Sequence, residues 1–277
     1  LCKAASEKYS TSAKSVVNTN AVIEKTALIG SAGDITSVPL GQIVDSEEIY
    51  RADLSDVYMT FVSSYDTGRL SAYAEYMAEA VSADKNAEVY LIDTISGIAP
   101  PSDKKNYTFV SADDLEQWKD KFAEIYVGRD NAMIDEGDKN YRLPDNFGHV
   151  YIIINGFEEL SKININCMAN LVEAMLYCSS HRIHYIVLDT YDKMKAPCGC
   201  YETIIVTGPR DRGVLYLDNA HDEWFDQLGI WLGSGFNSQE LFTAGRAEKT
   251  ESSDNTGVII RNRKAVGKFY LEGDNNG

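Results

Sequence analysis

Along this chain, short unbroken apolar runs alternate with longer stretches in which apolar residues recur every three or four positions. The runs at Val57–Val62, EVYLID (Glu88–Asp93), HVYIIING (His149–Gly156) and IHYIVLD (Ile183–Asp189) are too continuous for strands with one wet face. They predict strands of a parallel sheet covered on both sides. Between them, Leu70, Tyr73, Ala74, Met77 and Val81 follow helical spacing. So do Leu115, Trp118, Phe122, Ile125 and Met133, and then Met168, Leu171, Val172 and Met175 within Asn166–His181. Thr67 is placed to cap the first of these helices, and Ser111 with Asp114 to open the second. PLGQIV and EIYRADL flank the acidic turn DSEE as an N-terminal hairpin, GVIIRN and KAVGKFYL form a C-terminal one, and ETIIVTG adds a further strand. Strands and helices alternating at this spacing predict an α/β fold with a mainly parallel sheet, helices on both faces and a β-hairpin at each end.

Residues 1–35 are rich in Ser, Ala, Lys and Asn without sustained apolar spacing, and read as a lead-in helix and linker. Residues 36–272 are expected to form one domain, with a flexible tail at 273–277. At 277 residues the chain can bury a full core. It starts at Leu1 without a basic segment followed by an apolar run, so it reads as a piece excised from something longer. Its apolar runs fall far short of the roughly 18 residues of a membrane span, and the piece is expected to be soluble.

The net charge of −16 narrows the choice of partner. Residues 1–35 hold four lysines against three acids, so the rest of the chain carries the whole deficit. Such a surface repels nucleic acid, and the densest basic stretch, Arg261, Arg263, Lys264 and Lys268, reads as the solvent face of the C-terminal hairpin. The cysteines Cys2, Cys167, Cys178, Cys198 and Cys200 are an odd set and read as reduced thiols. Cys178, His181 and His184 with Cys198 and Cys200 have metal-like spacing. That spacing crosses a helix end into a buried strand, so the side chains should diverge and no metal is expected.

The candidate chemistry sits at FVSSYDTGRLS, Phe61–Ser71, between an apolar strand and an amphipathic helix. A working phosphate loop reads G-x-x-x-x-G-K-[ST]: glycine lets the backbone wrap the phosphates, lysine neutralises them and the hydroxyl holds magnesium. Across Ser63, Ser64, Tyr65, Asp66, Thr67, Gly68, Arg69 and Leu70 only Gly68 matches. Arg69 keeps charge with a different shape, and Leu70 cannot ligate a metal. An acidic strand tip should follow, but in HVYIIINGFEEL its two places hold Asn155 and Gly156. Glu158 and Glu159 lie beyond the tip, on the first turn of a short helix whose dipole favours them in solvent.

The order of hairpin, phosphate loop, VYLIDTISG, long helix, apolar strand with FEEL, helix and HRIHYIVLDTYD resembles the FtsK/SpoIIIE family of RecA-like ATPases. It is most similar to the C-terminal ATPase-like domain of EssC-type proteins, the membrane motors of type VII secretion. The resemblance covers about Pro39 to Leu271 and implies a RecA-like P-loop NTPase fold. It puts Asp189 or Thr190 at a sensor position, and Thr203 where motor members carry an arginine that reaches a neighbour's nucleotide. Losing the lysine, the magnesium hydroxyl and both acids together removes nearly every charge-stabilising group that phosphoryl transfer depends on.

The resemblance therefore implies a degenerate ATPase domain with no catalytic residues. Its partners would be proteins, either secreted substrates or neighbouring ATPase domains of its own chain, in the cytoplasmic part of a membrane-anchored protein. No cofactor is expected beyond weak magnesium-ATP binding at the helix N-terminus. One alternative is an unorthodox ATPase with Arg69 on phosphate and Asp93, Glu158 or Glu159 as the acid, Asp93 being preferred because its strand is expected beside that of the phosphate loop. A more distant one is an unrelated α/β enzyme. The chain lacks both G-x-G-x-x-G after the first strand and G-x-S-x-G, and His149, His181, His184 and His221 stand outside any motif. The tract from Asp211 to Phe242, with Trp224, Phe225, Ile230, Trp231 and Phe236, is expected to be core rather than a docking face.

Overall fold

The computed structural model describes residues 24–103, 105–135, 141–175, 178–195, 228–242, 251–262 and 264–271. After helix α1 (Lys25–Gly30) and a 3-10 turn at Ile35–Ser37 come the hairpin β1 (Val38–Ile43) and β2 (Ile49–Ala52). β3 (Met59–Ser64) runs into α2 (Thr67–Val81), followed by β4 (Ala87–Asp93), β5 (Thr108–Ser111) and α3 (Leu115–Ala132). A short ladder, β6 (Ile134–Asp135) with β7 (Tyr141–Arg142), precedes β8 (His149–Asn155). Then come α4 (Phe157–Ile163), α5 (Ile165–Met175), α6 (Cys178–His181), β9 (Ile183–Thr190), α7 (Tyr191–Lys195), β10 (Leu228–Leu232) and the hairpin β11 (Thr256–Arg261) and β12 (Lys264–Tyr270).

Among the described residues ten strands form one sheet in the order β2-β1-β12-β11-β10-β3-β9-β8-β4-β5. From β10 to β5 every pairing is parallel, and from β10 to β2 every pairing is antiparallel. The unbroken apolar runs become the parallel strands because both of their faces are covered. Phe61, Ile92, Ile154, Val187 and Trp231 point into a core that includes Trp118 of α3 and Leu171 of α5. Their neighbours Val62, Leu91, Ile153, Leu188 and Ile230 point into the opposite core, with Leu28 of α1 and Met77 of α2. Each such side chain contributes about 1.5–3 kcal/mol on burial, which fixes register, since a one-residue slip would swap the two faces.

Several expectations need correction. β5 and β10 were not separable as strands in the sequence, and β10 is central, pairing β3 and β11. Asp93 does not end a strand beside that of the phosphate loop, because β9 and β8 lie between β3 and β4. α2 is capped by Asp66, with Thr67 as its first residue. α3 opens at Leu115, after a 3-10 turn in which Ser111 Oγ donates to Asp114 Oδ2 at 2.6 Å. Ile230, Trp231 and Phe236 are core, as expected. Trp224, Phe225, the ETIIVTG strand with Thr203, His221, Cys2, Cys198, Cys200 and Arg263 lie outside the described residues.

Candidate functional site

The predicted site residues meet at the carboxyl ends of β3, β8, β9 and β4. Ser63 and Ser64 belong to the strand rather than the loop, and both are buried. Ser63 Oγ donates to Asp189 O at 3.2 Å and Ser64 Oγ to Leu232 O at 2.8 Å, so their hydroxyls tie β3 to its two neighbours. Only Tyr65 and Asp66 remain to make the turn, and two residues cannot wrap a phosphate. Tyr65 packs edge-on against Trp231 (5.1 Å) and Tyr191 (5.3 Å).

Asp66 takes the place where an anion would rest. Its Oδ1 accepts from the amides of Gly68 at 2.8 Å and Arg69 at 3.3 Å, the exposed donors at the positive end of α2. A phosphate approaching those amides would have to displace a carboxylate already bonded to them. Arg69 is equally committed: its Nε lies 3.3 Å from Asp66 Oδ2, and its Nη1 donates to the carbonyl of Asp254 and lies 3.8 Å from that residue's Oδ1. A bond from Ser234, followed by the charge of Arg69, holds the Asp254 carboxyl below its ordinary range. Leu70 is buried in the core with Met77 and cannot face a metal.

The strand tip has likewise become internal. Asn155 Nδ2 donates to Asp93 Oδ1 and to Ser71 Oγ, both at 2.9 Å, and Asp93 Oδ2 accepts from the Ile98 amide at 2.8 Å. All three side chains are buried. Asparagine suits this position because an aspartate there would set a second carboxylate against Asp93 without a cation. Gly97 permits the approach, since a Cβ on it would lie 2.2 Å from Ser71 Oγ. Gly156 turns the chain at φ 87°, and a Cβ there would meet Ile95 Cγ2 at 2.4 Å.

The remaining candidates are structural in their contacts. Asp189 Oδ2 accepts from the Glu158 amide at 2.9 Å and its Oδ1 from the Thr190 amide at 3.0 Å, so the sensor-position carboxylate caps α4. Glu158 and Glu159 stand on the first turn of α4, as expected, and both face Lys162, at 3.9 and 2.8 Å. Ser71 went unnoticed in the sequence although a signal existed: it is a hydroxyl one place beyond the motif's own. Asp254 had no local signal, lying 185 residues from Arg69. Cys178, His181 and His184 do not converge. His184 bonds Val57 O and His149 through its two ring nitrogens, and His181 stacks on Tyr126.

A parallel sheet with helices on both faces, a strand-turn-helix at a phosphate-loop position and an antiparallel extension define the RecA-like P-loop ATPase fold. Among solved structures, the chain resembles the ATPase domains of EssC and EccC. It matches the cytoplasmic domain of EssC with a TM-score of 0.67 at 11% identity, covering 90% of this chain and 47% of that one. For EssC ATPases 2 and 3 from Geobacillus thermodenitrificans the TM-score is 0.62 at 12% identity, with 85% and 41% covered. For Thermomonospora curvata EccC ATPases 2 and 3, in complex with a signal sequence peptide, it is 0.59 at 12% identity, with 92% and 44% covered. The chain thus spans less than half the length of each. No protein-family model and no curated protein matches the sequence.

Proposed function

We propose that this chain is a non-hydrolysing ATPase-fold module of an EssC-type motor protein of type VII secretion, working by recognising protein partners or regulating neighbouring ATPase domains. The observation that carries this reading is Asp66 on the first amides of α2. The phosphate position is met by a carboxylate of the chain itself, and Arg69, at the motif's lysine position, is held by two aspartates. Phosphoryl transfer needs a phosphate cation, a magnesium ligand and an acid together, and these positions hold a paired arginine, a buried leucine and a buried asparagine. The strongly acidic composition disfavours nucleic acid as partner. An EccC neighbour seen with a signal sequence peptide supports a polypeptide partner. Among the described residues no helix is long and apolar enough to cross a membrane.

Calorimetric titration with magnesium ATP, run beside a phosphate-release assay, tests the reading. We expect no turnover and no saturable heat. Turnover would overturn it and direct attention to Arg69 and Asp93.

A further inference from the structure

At the amino ends of the parallel strands two imidazoles form a chain with a fixed direction. Val57 O can only accept, so His184 Nδ1, 2.9 Å away, carries the proton of that bond. His184 Nε2 is then bare and accepts from His149 Nδ1 at 2.8 Å. In the neutral pair His149 Nε2 is therefore the unprotonated end of the chain. His184 is buried and His149 only half-buried, so a proton from solvent enters at that end. It breaks none of these bonds, since both Nδ1 groups go on donating. A second proton would have to sit on His184 Nε2, facing the N–H of His149.

The entering charge meets two arginines. Arg182, just before β9, donates to Phe147 O at 2.8 Å and lies 3.3 Å from Asp145. Arg129 of α3 donates to Gly148 O at 2.9 Å and to His181 O at 2.7 Å. Two guanidinium groups thus hold the loop 143–148 by the two carbonyls that precede His149. Burial first, then Arg182 and Arg129, keeps the His149 imidazole below its ordinary value, with Asp84 before β4 and Asp56 before β3 acting against them. Tyr58 and Tyr151 stack on His184 and stay neutral, burial holding both phenols above their usual range. Opening the loop would relieve the imidazole, so proton uptake below about pH 6.5 favours the open loop by up to about tenfold per pH unit. The link 53–58 is held differently, by His184 on Val57 O, by the Tyr151 hydroxyl on Leu54 O at 3.0 Å and by the Tyr185 amide on Tyr58 O at 2.8 Å.

From this arrangement we propose that the His149–His184 pair is a proton switch at the amino end of the sheet: one proton, taken up at His149 Nε2, loosens the loop 143–148 and leaves the link 53–58 bonded. The phosphate loop lies at the other end of the strands, and the switch stands or falls independently of how that loop is read.

Amide hydrogen exchange of the whole chain from about pH 7.5 to about pH 5.5, corrected for the chemical rate at each pH, tests it beside nitrogen NMR of the imidazoles. The spectra should show Nδ1–H in both rings at the upper pH and proton uptake at His149 Nε2 on descending. Phe147, whose amide donates to Pro144 O at 3.1 Å, should lose protection about threefold or more beyond any loss at Tyr185, the reporter of the link. His149→Asn still offers an N–H to His184 and does not titrate, so its Phe147 protection should stay level across the range. The His184 spectrum of that variant, with Nδ1–H kept, reports that the chain of bonds is intact. Nε2–H in either neutral ring would overturn the proposal. So would a Phe147 loss no larger than that at Tyr185, or one that persists in His149→Asn.

Discussion

The two ends of the parallel strands carry buried polar groups and use them in opposite ways. At the carboxyl ends, Asp66, Asp93 and Asp189 are each met by backbone amides, and Asn155 bridges Asp93 to Ser71. At the amino ends, His184 is sandwiched between Tyr58 (4.5 Å) and Tyr151 (4.4 Å), bonded to Val57 O at 2.9 Å and to His149 at 2.8 Å. Burial holds its imidazole down to about 3, and lowers that of His149. Perturbed titration commonly marks a functional site, and here the ends differ in its cause: burial at the histidines, and at the carboxyl end a bond from Ser234 and the charge of Arg69 on Asp254. The difference teaches that the carboxylates at the carboxyl end bond backbone amides, which is what the proposed reading of that end as scaffold rests on.

The sharpest way to break that contrast is Asn155→Asp. It would put a second carboxylate where the amide now lies 2.9 Å from Asp93, in a buried setting without a cation. We expect a loss of about 3 kcal/mol or more at pH 7, read from urea unfolding, and a smaller loss at lower pH as the pair takes up a proton. Magnesium that restored the variant's stability would show the carboxyl end to be a usable cation site, and the contrast would fail.

The histidine end predicts a pH dependence of its own. His184 is neutral in the folded chain and would titrate near 6.5 when unfolded, so below that value the unfolded state binds the proton that the native state refuses. Its stabilising contribution is complete above about pH 6.5 and is lost as pH falls toward about 3, amounting to about 2 kcal/mol between pH 7 and 5. His184→Phe keeps an aromatic ring between Tyr58 and Tyr151 and removes the titration. Unfolding measured from pH 7 to 5 should therefore be flatter in the variant, and equal slopes would remove His184 as the cause.

These two ends were unequally legible in the sequence. Strands buried on both faces announce themselves by composition, which is why β3, β4, β8 and β9 could be placed, whereas the hairpins were legible as paired extended segments about a turn. β5 has four residues and runs straight into a turn that reads as a helix start, and β10 lies inside an aromatic-rich tract whose periodicity fits no element. At the site, the loss of lysine, hydroxyl and acids was a local property of FVSSYDTGRLS and HVYIIINGFEEL. What replaced them was not local: Asp254 reaches Arg69 across the sheet, and Asn155 finds Asp93 only because β8 lies beside β4. Sequence could show that Phe61–Ser71 departs from the phosphate-loop pattern, whereas the partners of Asp66 and Arg69 required the fold.

The smallest expected effect concerns Asp66 itself. As the N-cap of α2 it should contribute about 1 kcal/mol, lost in Asp66→Ala and almost fully kept in Asp66→Asn, since asparagine caps equally well. The Asn variant thus separates the carboxylate's charge from its hydrogen bonds. Thermal unfolding should rank the original chain and Asp66→Asn together, with Asp66→Ala below. Neither variant should release phosphate from ATP, because Leu70 stays in the core and Asn155 stays bonded to Asp93. Turnover in Asp66→Asn would mean that one carboxylate had been holding back a competent site, and the carboxyl end would then be a suppressed active centre rather than scaffold.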